Sequence, residues 1–364
     1  MSSEKKRKER KFATIKDIAS IAGVSVNTVS RALSNRGYVK KEKKEYILRI
    51  AQELGYTRNC AASSLRTKHS NTIGVVVVDN SNPFYAEVVK GIETEARKNG
   101  YSIILVNTDR SYENEVKAIQ TLLQRRVDGL IICAVQSEID DIKELVKKKI
   151  PTVVVGSVLD DIDSSFVCSD DETGGFLAVE YLLETGHRNI LFLNAMDYKY
   201  AARLREKGAI KAVEKFKKST SSKVSIQFRV INSLEGFQNA YDKFKEILVY
   251  CRANDKDDKL DFDAVLCYND IFAYAVLKAS KESNFKVPDD FSVVGFDDIE
   301  FSSLLNPPLT TIGVDKLKLG SEAFYALMRN IKEDLLSKVI LPVYLVKRES
   351  VKIRQEKQEI INIY

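Results

Sequence analysis

Asn27 and Arg31 stand four positions apart in residues 26–33, V-N-T-V-S-R-A-L, where the apolar residues recur at helical spacing. Together with Val26 they fall outside the apolar face that this spacing creates. Asparagine can bond bidentately to adenine, arginine to guanine, and valine can contact the thymine methyl group. These three residues could therefore read the base edges of DNA. A small helical bundle with an ordinary polar face would show the same spacing.

Two short helices would have to position these side chains. Thr14 and Asp17 have the form of a capping box that opens a first helix, which Gly23 interrupts. Ser25 can cap a second helix over residues 26–33. Two short helices joined by a glycine-containing turn are the helix-turn-helix pattern, whose second helix enters the major groove of DNA.

A third helix is predicted over residues 41–54, with Gly55 just past its end as a C-cap. Its apolar spacing predicts inward-facing side chains at Ile47, Ile50, Ala51 and Leu54.

Charge separates the chain into a basic head and a mildly acidic remainder. Residues 1–68 hold 17 Lys and Arg against 6 Asp and Glu, a net charge of +11 in a chain that totals +6, so residues 69–364 carry −5. A lysine-rich run such as residues 5–11 is by itself most simply a solvated tail. On a segment that also carries a helix-turn-helix pattern, the charge favours contact with DNA.

Short β-branched runs alternate with helix-length stretches in the remainder of the chain, which predicts parallel sheets covered on both faces. About 280 residues of this pattern correspond to two doubly wound lobes. Ligands bind such sheets at the carboxyl ends of the strands, and Asn, Asp and Arg opposed to aromatic faces are typical of a site for a polyhydroxylated ligand. The strand-like runs are 73–78, 102–106, 129–133, 152–155, 189–193, 264–267 and 292–296, and the helix-length stretches include 85–99, 139–149, 174–185 and 271–284.

Composition argues against several other classes of protein. No apolar run approaches the roughly 18 residues of a membrane span, and the polar N-terminus lacks the apolar core of a secretory signal, so a cytoplasmic protein without a membrane partner is expected. The five cysteines form no CxxC pair and the two histidines, His69 and His187, neighbour no ligand cluster. We therefore predict no metal, no cofactor, no catalytic residue and no enzyme activity, and a structural role for His187 in a turn.

Residues 13–33, A-T-I-K-D-I-A-x-x-A-G-V-S-x-x-T-V-S-R-A-L, resemble the DNA-binding head of the lactose/galactose-repressor (LacI/GalR) family of bacterial transcription regulators. The resemblance implies that Val26, Asn27 and Arg31 stand at the main base-reading positions. It also implies four contacts to the DNA backbone, from Thr14, Ser25, Ser30 and Tyr38.

Residues 59–65, in the stretch N-C-A-A-S-S-L-R-T-K that ends at residue 68, resemble the family's hinge helix, which folds only when the dimer sits on DNA. By this resemblance Leu65 is a minor-groove wedge, and an apolar side chain between bases unstacks them and bends the duplex. In a short amphipathic linker a leucine would otherwise be a packing residue.

Further segments extend the resemblance over residues 13–354, among them VDNSNPFYAEVVKGIE, YNDIFAYAVL and VPDDFSVVGFDDIEFSSLLNPPLTTI. It implies a periplasmic-binding-protein-like fold with an effector in the cleft between two lobes. Carried over by position, Arg205, Asn269 and Asp297 are effector-binding residues, with Phe84 on the opposing lobe. Asp297 could instead simply turn the chain, and Arg205 could be a surface helix residue.

The chain departs from the family pattern at four positions. Arg58 replaces the usual Pro, Ser63 replaces a common Arg, and Lys40 replaces a capping Ser, a change that costs about 1 kcal/mol. Val314 stands where a Gln or another polar residue is common, which predicts a more apolar wall of the effector pocket.

The predicted fold class is an all-α helix-turn-helix head followed by an α/β, two-lobed, periplasmic-binding-protein-like body of doubly wound parallel sheets. The predicted domains are a disordered basic arm (1–12), the DNA-binding domain (13–57), the hinge helix or linker (58–70), the effector-binding and dimerisation domain (71–354) and a tail (355–364). Within the body, the predicted N-lobe comprises about 71–168 and 298–330, and the C-lobe about 169–297 and 331–354.

The predicted function is a sequence-specific DNA-binding transcription regulator, a repressor, that binds a pseudo-palindromic operator as a homodimer under control of a sugar-like effector. Without a heptad extension at its end, the chain is expected to form dimers rather than tetramers. Whether the effector induces or corepresses is left open, as is a global regulator whose corepressor is a protein and whose cleft binds no sugar. A transport solute-binding protein would need a signal peptide and no basic head, and an enzyme would need a nucleophile, metal cluster or phosphate loop.

Overall fold

A computed structural model describes residues 13–34, 37–56, 69–159, 162–220, 225–254 and 260–354. The chain divides into two compact units, Met1–Ser70 and Asn71–Tyr364. The predicted basic arm, the hinge positions Arg58, Ser63 and Leu65, and the tail 355–364 lie outside the described residues.

The described residues of the first unit form three helices around a small apolar core. Val29 and Ala32 of the second helix pack with Ile18 of the first and Ile47 of the third. The spacing of apolar residues thus predicted the inward faces, except that Leu54 is 37% exposed and not part of the core. The helices are α1 (Ile15–Ala22), α2 (Val26–Ser34) and α3 (Lys41–Glu53).

Local side chains fix where these helices begin and end. The Asp17 amide donates to Thr14 Oγ1 while the Asp17 carboxylate accepts from the Thr14 amide at 2.8 Å, which confirms the predicted capping box. Gly23 ends α1 with φ at +61°, where a residue without Cβ is favoured. Lys40 makes no side-chain cap at the start of α3, as its departure from the usual Ser predicts.

The second unit has two lobes, each built on a six-stranded sheet with helices on both faces. The N-lobe sheet is entirely parallel, with strand order β11-β5-β4-β3-β1-β2. Its strands are β1 (Thr72–Val77), β2 (Ser102–Asn107), β3 (Leu130–Ile132), β4 (Thr152–Val155), β5 (Ser165–Ser169) and β11 (Lys338–Leu341). Its helices are α4 (Pro83–Lys98), α5 (Tyr112–Gln124), α6 (Asp140–Lys147) and α11 (Lys316–Glu333).

The C-lobe sheet has the order β12-β10-β9-β8-β6-β7 and is parallel except for β12, which pairs antiparallel with β10. Its strands are β6 (Asn189–Ala195), β7 (Gln227–Ser233), β8 (Ala264–Cys267), β9 (Ser292–Asp297), β10 (Thr310–Val314) and β12 (Val343–Val346). Its helices are α7 (Asp171–Glu184), α8 (Tyr200–Ser219), α9 (Phe237–Asn254) and α10 (Asp270–Glu282), with a 3-10 turn at Glu300–Ser303.

The predicted lobe boundaries are wrong in the last third of the chain. Residues 298–314 belong to the C-lobe, because β10 pairs with β9 in the register Thr310↔Val294. Strand β11 belongs to the N-lobe, because it pairs with β5. The chain therefore passes between lobes after β5, between β10 and α11, and between β11 and β12. A short β-branched run does not itself specify which of two sheets it joins.

Two glycines allow α7 and α8 to cross at very short range. A Cβ at Gly208 would lie 1.9 Å from the Glu172 carbonyl oxygen, and one at Gly175 would lie 2.0 Å from the Arg205 carbonyl oxygen. Any larger residue at either position would push the helices apart. The backbone of Arg205 lies in this contact, so the crossing fixes its position.

Candidate functional site

A cavity of about 70 Å³ lies between the two lobes, where the carboxyl ends of both sheets face each other. The structure brings all four predicted effector-binding residues into its walls. Their role in binding stays a prediction. The polar and aromatic side chains of these walls include Asn82, Phe84, Tyr85, Arg110 and Gln136 from the N-lobe, and Asp171, Lys199, Arg205, Glu235, Tyr268, Asn269 and Asp297 from the C-lobe.

Arg205 is buried and held on several sides. Its Nε donates to Asp171 Oδ1 at 2.8 Å, and one terminal nitrogen donates to the Tyr268 carbonyl oxygen. The guanidinium carbon lies 3.5 Å from the ring centroid of Phe296, and the second terminal nitrogen lies 3.8 Å from Asp297. Arg205 is therefore a fixed donor at the cavity wall, and the interpretation as a surface residue does not hold.

Asp297 is the last residue of the strand β9 and lines the cavity from a backbone conformation with φ at +110°. Burial raises the pKa of its carboxyl to about 8, although the nearby Arg205 guanidinium opposes this shift. At neutral pH the carboxyl is therefore mainly protonated and can donate as well as accept a hydrogen bond. Its neighbour Asp298 pairs with Arg348 at 2.7 Å, so the two adjacent carboxyls point in different directions.

Two asparagines begin helices at opposite walls. Asn269 Oδ1 accepts from the Phe272 amide and caps α10, and Asn82 Oδ1 accepts from the Phe84 amide and caps α4, both at 3.0 Å. Phe84 packs against the apolar cores of both lobes and meets Tyr85 edge to face at 5.2 Å. The two helix caps thus fix the side-chain amides of Asn82 and Asn269, and the rings of Phe84 and Tyr85 face them.

The sequence did not single out several polar residues of the cavity. The buried Lys199 forms an ion pair with the half-buried Glu235 at 2.6 Å. Gln136 Oε1 accepts from the Tyr200 amide at 2.8 Å and so joins the N-lobe to the C-lobe. Arg110 pairs with Asp79 at the mouth. Each residue lies in or near a loop after a strand, which is the one signal that could have found them.

Two sequence expectations concern residues that lie away from this cavity. His187 is fully buried and bonds to the Ser292 hydroxyl at 2.8 Å and the Leu182 carbonyl oxygen at 3.0 Å, so it ties together elements of the C-lobe. Val314 belongs to the C-lobe core and is not among the residues that line the cavity. The prediction of a more apolar pocket wall is therefore wrong, because the β10 side chain faces the core.

In the first unit, the predicted base-reading residues share the exposed side of α2. Val26, Asn27 and Arg31 are exposed, whereas Val29 and Ala32 of the same helix are buried in the core. The predicted backbone-contacting residues are mostly accessible: Tyr38 is 86% exposed, Thr14 and Ser25 are exposed, and Ser30 is half-buried. Their contacts with DNA stay predictions.

A buried carboxyl pair lies beneath the loop that carries Gln136. Glu115 of α5 is fully buried, and its Oε2 accepts from the Val135 amide at 2.8 Å. One oxygen of each carboxyl, Glu115 Oε1 and Asp141 Oδ2, is buried without a hydrogen-bond partner, so a proton held between the two carboxyls would satisfy both. Burial, with the charge of Asp141, raises the pKa of Glu115 well above its ordinary value of 4.5.

The Glu115→Gln variant is expected to be more stable than the parent at alkaline pH. The folded parent holds a proton that the unfolded chain releases above pH 4.5, so the parent's stability falls as the pH rises through the raised pKa. Glutamine keeps the acceptor for Val135 and donates to Asp141 without titrating. Urea unfolding should give a gain of about 1–2 kcal/mol near pH 8 and little difference near pH 5.

The matched control is Glu113→Gln, on the same helix but in an exposed pair with Lys117. It should show no such gain. A Glu115→Gln protein less stable than the parent near pH 8 would show that the pair does not share a proton there.

A helix-turn-helix unit joined in one chain to a two-lobed α/β unit with a polar interlobe cavity defines a ligand-controlled DNA-binding regulator. Comparison with known families agrees. Residues 14–59 match the family described as bacterial regulatory proteins, lacI family, and residues 70–349 match the periplasmic binding proteins and sugar binding domain of the LacI family. The chain belongs to the LacI family, which confirms the resemblance in the sequence.

Known relatives cover almost the whole chain. The transcriptional repressor PurR of Pasteurella multocida (strain Pm70) is 31% identical over 94% of this chain and 100% of its own length. The ribose operon repressor of Escherichia coli (strain K12) is 32% identical over 89% and 95%, respectively. The crystal structure of the lac repressor dimer bound to operator and the anti-inducer ONPF is 29% identical, with a TM-score of 0.80 over 94% of this chain and 100% of that chain.

The protein is therefore an effector-controlled, DNA-binding transcription regulator of a family of repressors rather than enzymes. Within the described residues, no helix is long and apolar enough to cross a membrane. Nor does that part of the chain bring three or more His, Cys, Asp or Glu side chains together as a metal site would require.

Proposed function

We propose that this protein is a cytoplasmic repressor that binds a pseudo-palindromic operator as a homodimer, and that its effector is a neutral, polyhydroxylated molecule of monosaccharide size. Charge pairing in the cavity is the observation that supports this choice of effector. Arg205 pairs with Asp171, Lys199 with Glu235, and Arg110 with Asp79. No excess positive charge is left among these cavity residues to compensate a phosphate or carboxylate of the ligand.

The lining of the cavity points to the same class of ligand. Phe84, Tyr85 and Tyr268 supply apolar faces, and Asn82 and Asn269 supply polar groups around them. The ribose operon repressor among the relatives, and a LacI-family regulator from Enterococcus faecium with bound ribose (26% identity, TM-score 0.65, 78% of this chain and 100% of that chain), support the proposal.

A thermal-shift screen tests the effector class. Pentoses, hexoses, disaccharides, the corresponding sugar phosphates and nucleobases are each added to the full chain. A ligand that binds only the folded form at 100 times its Kd adds about 2.7 kcal/mol. We expect a neutral monosaccharide to give the largest shift. A sugar phosphate that binds better than its parent sugar would contradict the charge argument, and a blank panel would favour a protein corepressor.

The DNA contacts belong to the same proposal. Val26, Asn27 and Arg31 read base edges, Leu65 wedges into the minor groove, and the backbone contacts come from Thr14, Ser25, Ser30 and Tyr38. The accessible placement of Val26, Asn27 and Arg31 on α2 supports the first part. Operator binding measured with and without the identified effector then decides whether that effector induces or corepresses.

A further inference from the structure

Lys316 is a buried lysine that does not itself line the interlobe cavity. It contacts the turn formed by Asp297 and Asp298, and Asp297 lines that cavity. It stands in the first turn of α11, where the chain has just left the C-lobe strand β10 for the N-lobe, and it is 5% exposed. Its ammonium donates to the carbonyl oxygens of Asp297 and Asp298, both at 2.8 Å, and to that of Val314 at 3.3 Å. All three ammonium donors are therefore used by the C-lobe backbone.

The turn that Lys316 holds has an unfavourable backbone conformation. Asp297 has φ at +110° and Asp298 has φ at +50°, and L-residues rarely adopt this half of conformational space. Glycine would relieve the strain, but glycine at 297 would remove the carboxyl that lines the cavity. A cation that gathers both carbonyl oxygens offers another way to stabilise the turn.

Lys316 also reaches the opposite wall of the cavity. Its ammonium lies 3.8 Å from the carboxylate of Glu87, one turn along the helix α4 that begins with Pro83 and Phe84. The same side chain therefore contacts the backbone of the C-lobe wall and the helix of the N-lobe wall. A compact ammonium suits this position better than a planar guanidinium, because three carbonyl oxygens converge on one atom.

We propose that Lys316 is the positioning residue for Asp297: its ammonium holds the strained 297–298 turn so that the Asp297 carboxyl faces the effector, and ties that geometry to the N-lobe. This proposal rests on the proposed function of the cavity. Lys316 itself does not touch the effector; it acts through the turn.

The test is a double-mutant cycle in the full-length protein, with D-ribose as the probe ligand. Lys316→Met removes the ammonium and keeps the aliphatic chain, and Asp298→Gly relieves the strain at the second turn position. We expect Lys316→Met to weaken ribose binding at least tenfold. Adding Asp298→Gly should restore several-fold of that loss, whereas the same change in the parent should gain nothing because Lys316 already holds the turn there. The loss of the pair with Arg348 is common to both backgrounds and cancels in the cycle.

Lys318→Met, exposed on the same helix, is the matched control and should bind ribose as the parent does. If Lys316→Met fails to fold, Lys316→Gln, which keeps two amide donors, takes its place in the cycle. Unchanged ribose affinity in both Lys316 variants, or strictly additive effects of the two sites, would overturn the proposal. A purely structural role for Lys316 predicts that additivity.

The same cycle measured by urea unfolding without ligand separates this proposal from the proposed function. If the parent binds no sugar, the proposed effector class fails. Coupling between positions 316 and 298 in the unfolding free energy would then still support the role of Lys316 in stabilising the turn. The absence of coupling would overturn that role.

Discussion

The Arg205→Met variant is expected to lose both effector binding and a large part of the stability of the effector unit. Methionine cannot donate to Asp171, Tyr268 or a ligand, and it leaves the buried Asp171 carboxylate without its cation. Removing one partner of a buried ion pair costs about 3–5 kcal/mol. Calorimetric titration with the effector found by the screen should show at least a hundredfold loss of affinity.

Arg203→Met is the matched control for this prediction. Arg203 lies two residues earlier on the same helix, is exposed, and donates to the carbonyl oxygens of Asp197 and Tyr198. Surface changes of this kind are usually within about 0.5 kcal/mol, and the effector affinity should not change. Equal losses in the two variants would mean that Arg205 has no special place in the cavity.

A second change separates the two losses expected of Arg205→Met. In the double variant Arg205→Met, Asp171→Leu, both buried charges are replaced by apolar side chains, and such replacements can be neutral or stabilising. Stability should therefore return towards the parent while effector binding stays absent. Recovery of binding together with stability would show that Arg205 supports the fold and does not contact the ligand.

Residues of this site could be predicted where their position depends on neighbouring residues in the sequence, and could not where it depends on contacts between separate loops. Arg205, Asn269, Asp297 and Phe84 were predicted because their positions match family motifs and three of them follow strand-like runs. The Lys199–Glu235 pair joins two loops of the C-lobe, and the Gln136–Tyr200 hydrogen bond crosses between lobes. No periodicity in the sequence encodes such contacts, because they form only when separate strands end side by side.

In the fold, too, elements set by local sequence patterns could be predicted, and pairings between segments distant in sequence could not. All seven predicted strand runs and all four predicted helix stretches are confirmed to within a few residues. Among the missed strands, β7 alternates polar and apolar residues at a sheet edge, and β5, β10, β11 and β12 are only four or five residues long. The lobe assignment failed for β10 and β11, because pairing with a partner distant in sequence decides it.

The Arg31→Ala variant is expected to lose discrimination at one base position of each operator half-site. Arg31 is exposed near the end of α2, on the side of the helix that also presents Val26 and Asn27. A bidentate contact from arginine to guanine is worth about 1–3 kcal/mol of discrimination, which alanine cannot make. Binding titrations should therefore give the variant equal affinities for operators that differ only at that position, whereas the affinities of the parent should stay different.

The control for Arg31→Ala is Arg49→Ala, which removes the same charge from an exposed position on α3. It should leave the base preference unchanged, so a flattened preference in Arg31→Ala alone cannot be a general effect of charge. If instead Arg31→Ala weakened binding to every DNA sequence equally, and the slope of log affinity against log salt fell by about one phosphate contact, Arg31 would bind a phosphate. Because Arg31 lies outside the core that Val29 and Ala32 build, thermal unfolding of the head should not change in either variant, and any loss of DNA binding can be assigned to the contact itself.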